Sequence, residues 1–227
     1  MLPYYVTPDK IDWFVNQALI EDVGSGDHTT LACIPDTQSD KAILKVKDEG
    51  IIAGIELAKV IIQKLDPNCS FTTFIKDGDS VSYGDIAFEL SANSHALLKA
   101  ERLILNTMQR MSGIATMSNR FAFEVEDLPV TILDTRKTTP LLRFLEKWAV
   151  KLGGCENYRF GLYDWIMIKD NHVEASGGIK NAINNVHRYL KDNKLDLNIT
   201  VEVRNLVELY DALEVGGFKR IMLDNFE

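Results

Sequence analysis

ILDTRKTTPLLRFLEKWAVKLGGCENYR, residues 132–159, sets five Lys/Arg between an apolar run and a Gly-Gly turn that precedes Arg159. Arg136 and Lys137 stand side by side just after the run, followed by Thr138, Thr139 and Pro140. The run itself, VTILD at 130–134, reads as a strand, and 140–152 reads as a helix. The same rhythm continues downstream. WIMIKD (165–170), ITVEV (199–203) and RIMLDN (220–225) are three more β-like runs, with helical stretches at 178–194 and 205–215. Strands alternating with helices predict βα units and a parallel sheet. Runs that are apolar on both faces predict strands covered on both sides.

Each run ends in polar residues. The first ends Asp134-Thr135-Arg136-Lys137-Thr138-Thr139 and the second Lys169-Asp170-Asn171-His172; the third carries Glu202 and Arg204, the fourth Asp224 and Asn225. Parallel α/β sheets bind ligands at the carboxyl ends of their strands, so four clusters in phase predict one functional rim. Plainer readings exist for single members. Arg136-Lys137 alone could be solvated charge, Lys169 could pair only with Asp170, and His172 alone reads as structural. His28 in GSGDHTT reads as turn chemistry. A helix opened by Thr139-Pro140 would present free N–H groups to an anion. Glu202 lies between Val201 and Val203 and so points to the face opposite both. Arg/Lys pairs suit carboxylate and phosphate oxygens, while separated carboxylates suit Mg²⁺ or a ribose diol. The rim therefore predicts a small anionic substrate used together with a sugar phosphate. No P-loop, GxGxxG or Ser-His-Asp pattern is present.

The first half has a different rhythm. Residues 12–22 have helical spacing, broken by GSGDHTT; AILKVK, FTTFI and DIAFEL within 41–90 are short β-like runs around a helix at 57–65. This half reads as a small α+β domain. Ser94 reads as the N-cap of a long helix with Leu97, Ile104, Met108, Met111 and Ala115 on one face. Glu101 falls in the middle of that face, which predicts a paired or hydrogen-bonded carboxylate. Arg102 falls at its edge, within reach of a neighbouring surface. The turn DGDSVSYGDIAFEL is like that of lipoyl-type carriers but has no lysine at a hairpin tip.

Of the 227 residues, 46% are hydrophobic and 26% charged, the balance of a soluble globular protein. No apolar run approaches the ~18–20 residues that span a bilayer. MLPYYVTPDKIDWF lacks the pattern of a signal peptide. Cys33, Cys69 and Cys155, odd in number, predict reduced thiols and a cytoplasmic location. A net charge of −8 argues against a broad nucleic-acid surface, so any anion must be held by a local cluster.

AERLILNTMQRMSGIAT, LDTRKTTPLLRFLEKWAVKLGG, NYRFGLYDWIMIKDNH, VEV and LDN, in this order and spacing, resemble the quinolinate phosphoribosyltransferase family. The resemblance runs from EDVGSGDHTT to the end of the chain. It implies an N-terminal α/β sandwich domain with a linking helix (1–112), then a C-terminal open α/β barrel (113–227), TIM-barrel-like with parallel strands. It also implies a homodimer in which each site is completed by the partner. By the same resemblance Arg102 would reach into the neighbouring subunit's site. Arg136, Arg159 and Lys169 would grip the two carboxylates of quinolinate, and Lys137 would serve the phosphates of phosphoribosyl pyrophosphate. Glu202 and Asp224 would hold the ribose hydroxyls, directly or through Mg²⁺; with Lys137 they would be the catalytic set. The implied products are nicotinate mononucleotide, pyrophosphate and CO₂, a step in NAD biosynthesis.

Two departures shape the expectation. Tyr158 stands where the family typically has His; it can donate a hydrogen bond but carries no charge near neutral pH. The family also continues past Asp224 into further βα units whose Gly-rich loops bind the 5′-phosphate. The sequence ends three residues after Asp224, so an incomplete barrel is expected, since four strands cannot close one. The competing readings are a phosphoribosyltransferase of the same fold acting on nicotinate or another small acid, a molybdenum-transport-associated homologue, and a truncated non-catalytic homologue.

Overall fold

A computed structural model describes residues 2–226. It comprises two compact units, Met1–Tyr158 and Arg159–Glu227.

In the first unit, α1 (Pro8–Val23) starts with Pro8 in its first turn and with Thr7 as its cap, whose hydroxyl accepts from Lys10 N–H at 3.3 Å. A short α2 (His28–Cys33) follows, capped by Asp27. His28 thus opens a helix instead of sitting in a turn. Then come β1 (Ser39–Lys45), β2 (Gly50–Ile51), α3 (Ile55–Leu65), β3 (Ser70–Thr73), β4 (Ser80–Val81), β5 (Ile86–Asn93), α4 (Ser94–Phe123) and α5 (Arg143–Leu152). β1, β5 and β3 form an antiparallel sheet in that order, with Leu44 opposite Phe88 and Ser70 opposite Ser91; β2 and β4 form a second pair. Ile61 and Ile62 of α3 and Phe88 of β5 are buried, as are Ile104, Met108 and Met111 of α4. β2 runs close against α4: Ile51 N–H donates to Thr116 Oγ1 and Ala53 N–H to Ser112 Oγ, both at 2.9 Å. A Cβ at Gly50 would collide with the Thr116 side chain, so the strand can lie this close only with glycine there.

Two local readings change at α4. Asn93, not Ser94, is the cap: its Oδ1 accepts from His95 N–H at 2.9 Å, while the Ser94 hydroxyl donates to Asp40 at 2.6 Å. Glu101 is exposed rather than buried. The buried stripe runs through Ala96, Ala100, Ile104, Thr107, Met108, Met111, Ala115 and Ser118; it keeps Ile104, Met108, Met111 and Ala115 of the expected face and takes Ala96 and Ala100 in place of Leu97 and Glu101.

α3 has no cap of its own at Gly54; Asp77, from the 76–79 turn, takes Ile55 N–H at 2.8 Å and Glu56 N–H at 3.2 Å instead. Burial pushes the Asp77 carboxyl above its usual range, against the backbone donors. The neutral form is therefore the one folding favours, and this contribution is lost as pH rises through the raised value. Asp77→Ala, which orphans two helix-end donors, is expected to cost about 1–2 kcal/mol in thermal or urea unfolding.

The second unit contains β6 (Ile166–Ile168), α6 (Asp170–Ala175), α7 (Ile179–Asn193), β7 (Ile199–Val203), α8 (Leu206–Val215) and β8 (Arg220–Leu223). The three strands are parallel, in the order β6-β7-β8, with Ile168 opposite Val201 and Glu202 opposite Met222. Ile199, Val201 and Val203 pack in one core with Ile179, Ala182 and Ile183 of α7 and Ala212 of α8. Alternation puts Thr200 and Glu202 on the opposite face, and all five residues of β7 are buried. The run at 130–134 is the exception. It forms no strand, only a single parallel bridge, Leu133 with Glu156. The bonds a ladder would supply are taken over by the Asp134 side chain.

Candidate active site

The cation loop of the first unit is pinned at both ends. Asp134 N–H donates to Glu156 O at 3.0 Å, and Glu156 N–H to Ile132 O at 2.9 Å. Beyond this bridge the Asp134 carboxylate continues the join. It accepts from the Lys147 ammonium, from Tyr158 N–H at 2.9 Å and from Asn157 Nδ2 at 2.7 Å. Lys147 is 1% exposed and Asp134 8%, so this is a buried ion pair with its remaining lone pairs satisfied. The Tyr5 hydroxyl donates to Asn157 Oδ1 at 2.5 Å. Burial, with the Asp134 charge behind it, holds the Tyr5 phenol well above its ordinary range, so it stays a donor.

At the far end, Arg110 of α4 pairs with Glu146 of α5, and Glu146 Oε2 accepts from Thr139 N–H at 3.1 Å. Arg143 Nε donates to Thr138 Oγ1 at 3.0 Å. The free N–H expected at Thr139-Pro140 is therefore spoken for, and α5 begins only at Arg143. Residues 135–138 form a tight turn, with Lys137 N–H on Thr135 Oγ1 (3.0 Å) and Thr138 N–H on Arg136 O (2.9 Å). The turn leaves Lys137 exposed and Arg136 half-buried. Among the described residues, Arg136 Nε is the one buried side-chain nitrogen or oxygen without a hydrogen-bond partner. An orphaned guanidinium nitrogen beside an exposed lysine calls for an anionic acceptor. α1 adds Lys10, whose ammonium burial and the adjacent Arg143 push below its usual range. Arg102, on α4, is exposed.

In the second unit the face opposite the helices carries the other residues. Arg159 is buried, with Nη1 on Trp165 O at 3.2 Å. Asp164 closes the intervening loop by accepting from Phe160 N–H and Gly161 N–H at 2.7 and 2.9 Å. Trp165 Nε1 donates to Thr200 Oγ1 at 2.9 Å, and Arg220 lies over the Trp165 ring. Lys169 pairs with Glu202 at 3.5 Å, not with Asp170, whose Oδ1 accepts from Asn171 N–H. His172 Nδ1 accepts from Lys169 N–H at 2.9 Å, which fixes the turn that aims the lysine. Arg204 is committed to Glu208 and Glu174. Asp224 N–H donates to Val203 O at 2.9 Å, so its side chain follows Arg220 and Met222 on the Glu202 face.

Among the described residues, no three His, Cys, Asp or Glu side chains gather as a metal site. Glu202 on β7 and Asp224, directly after β8, are the carboxylates of this face that could hold a divalent cation. Asp134 was legible only as a member of the first polar cluster, and Lys147, Asn157, Arg110 and Glu146 were not legible as site residues. The nearest signal is a lysine within the apolar stripe of α5, at Phe144-Leu145-Glu146-Lys147-Trp148.

Residues 27–112 match the family described as "Quinolinate phosphoribosyl transferase, N-terminal domain", and residues 114–227 its "C-terminal domain" counterpart. The chain is 44% identical to the Nicotiana tabacum protein "Quinolinate phosphoribosyltransferase [decarboxylating] 1b", over 93% of this chain and 61% of that one. It is 42% identical to "Probable nicotinate-nucleotide pyrophosphorylase [carboxylating]" of Bacillus subtilis, over 93% and 71%. The chain thus spans about three fifths of the tobacco relative's length. The structure of NadC from Streptococcus pyogenes superposes with a TM-score of 0.91 at 37% identity, covering 98% of this chain and 77% of that one. The nicotinate-nucleotide pyrophosphorylase of Francisella tularensis gives 0.89 at 35%, with the same coverage. The fold is accordingly an α/β sandwich followed by an open, incomplete α/β barrel. Two family matches that together take in nearly every residue from Asp27 onward, with the cation loop and the strand-end carboxylates inside them, leave one assignment: the chain belongs to the quinolinate phosphoribosyltransferase family.

Proposed function

We propose that the protein transfers the phosphoribosyl group of phosphoribosyl pyrophosphate to quinolinate with decarboxylation, giving nicotinate mononucleotide, pyrophosphate and CO₂. The observation that carries this reading is the buried Arg136 nitrogen without an acceptor, beside exposed Lys137. Arg136, Arg159 and Lys169 bind the two carboxylates, and Tyr158 donates to one of them. Lys137 holds phosphate oxygens. Glu202 and Asp224 hold the ribose hydroxyls and favour the positive charge that develops at C1 as its bond to pyrophosphate breaks. The pyridine nitrogen then bonds C1, and the resulting pyridinium accepts the electron pair left when the C2 carboxylate departs as CO₂. An Mg²⁺ held by Glu202 and Asp224 would supply charge neutralisation for the leaving pyrophosphate. Catalysis on this reading is positioning and electrostatics, with no covalent enzyme intermediate.

On this reading the functional boundary lies at 112/113, between an N-terminal domain of residues 1–112 and a C-terminal one of residues 113–227. The working form is a cytoplasmic homodimer in which exposed Arg102 serves the second copy's site. No described helix is long and apolar enough to cross a membrane.

The test is pyrophosphate release with phosphoribosyl pyrophosphate, Mg²⁺ and either quinolinate or nicotinate. Release that requires quinolinate supports the reading; release with nicotinate alone overturns it in favour of a mono-acid substrate. Glu202→Gln is expected to weaken phosphoribosyl pyrophosphate binding about 10–100-fold, the worth of a charge-assisted bond, and to leave quinolinate binding within a few-fold in titration calorimetry.

A further inference from the structure

Residues 132–134 and 156–158 meet through two backbone hydrogen bonds, and past the Leu133–Glu156 bridge the joining is done by side chains. Asp134 Oδ2 accepts from Asn157 Nδ2, and the same amide nitrogen donates to Lys147 O at 2.9 Å. Both of these contacts need the nitrogen on that side, so the Asn157 oxygen must point the other way. There it meets the Tyr5 hydroxyl. A protonated phenol can satisfy that oxygen, and no flip of the amide keeps all three bonds. Without the phenol, Asn157 has a half-buried acceptor to satisfy, and its hold on Asp134 competes with other orientations. Asp134 in turn holds Tyr158 N–H and begins the turn that carries Arg136 and Lys137. Tyr5 lies before α1, ahead of residue 27 where the family match begins. The link therefore comes from a segment outside the matched region.

We propose that Tyr5 is a positioning residue: through Asn157 and Asp134 it holds the backbone of Tyr158 and the Arg136-Lys137 turn in the geometry that receives a dicarboxylate. The ligand class rests on the function proposed above; the positioning itself does not.

Tyr5→Phe keeps the ring and removes the bond. Amide hydrogen exchange should speed up about tenfold at Asp134, Glu156 and Tyr158 and hold elsewhere in the first unit. Quinolinate, titrated calorimetrically well below the melting temperature, should bind roughly 5–10-fold more weakly. Asp77→Ala, which loosens the same unit at the start of α3, is the control. It should lower the melting temperature while leaving exchange at Tyr158 and quinolinate affinity as in the parent. Unchanged exchange at Asp134 and Tyr158 in Tyr5→Phe overturns the proposal, as does a matching loss of affinity in Asp77→Ala. A parent protein that does not bind quinolinate overturns the proposed substrate, while the exchange data still decide whether Tyr5 holds the turn.

Discussion

Lys147→Met is expected to lower the unfolding free energy by about 3–5 kcal/mol, which for a domain stabilised by ~5–15 kcal/mol is a large share of the whole. Methionine fills much of the lysine's volume, so a cavity is not the main loss. The loss is electrostatic: Asp134, 8% exposed, keeps its charge in a site where the neutral donors Tyr158 N–H and Asn157 Nδ2 remain to compensate it. The double variant Lys147→Met/Asp134→Asn removes the stranded charge and still offers an acceptor oxygen, so it should recover roughly half of the loss. Urea midpoints at constant m-value measure both. A Lys147→Met loss under about 1 kcal/mol would mean that the pair does not hold the loop.

Arg136→Ala should move binding and stability in opposite directions. Quinolinate affinity should fall about 100-fold or more, the worth of a desolvated guanidinium–carboxylate pair. Stability should stay level or rise by up to about 1 kcal/mol, because the substitution deletes a buried donor that has no partner in the protein alone. Arg136→Lys, which keeps the charge and loses the fork, should fall between, near tenfold. Calorimetric titration and melting temperature read the two effects separately. An affinity loss below about fivefold would remove Arg136 from the site.

These two neighbours show where sequence reading succeeds and where it stops. Arg136 is legible because its signal is local: a cation directly after an apolar run, next to a second cation. Lys147 lies in the same quoted stretch and looks like any helix lysine until the fold buries it against Asp134. β6, β7, β8, α7 and α8 are likewise written in the local period of their apolar residues, and Glu202 faces away from Val201 and Val203 as alternation requires. The run at 130–134 has the same apolar signature but forms a single bridge, because being a strand depends on a partner's backbone and not on the run itself. Glu101 misled because a helix's packed face is set by what lies against it; around this turn of α4 the buried residues are Ala96, Ala100 and Ile104, and Glu101 is exposed.

Alone, then, the sequence determined the βα rhythm of the second half, the family, and the residue types gathered at the strand ends. Tertiary structure decided the pairings: Lys169 with Glu202 and not its neighbour Asp170, Asp134 with Lys147, and Asn157 with Tyr5. Periodicity and turn chemistry act between residues a few positions apart, where the chain itself sets the geometry. Ion pairs and buried hydrogen bonds act between groups that only the packed fold brings within reach, and burial decides how much each is worth.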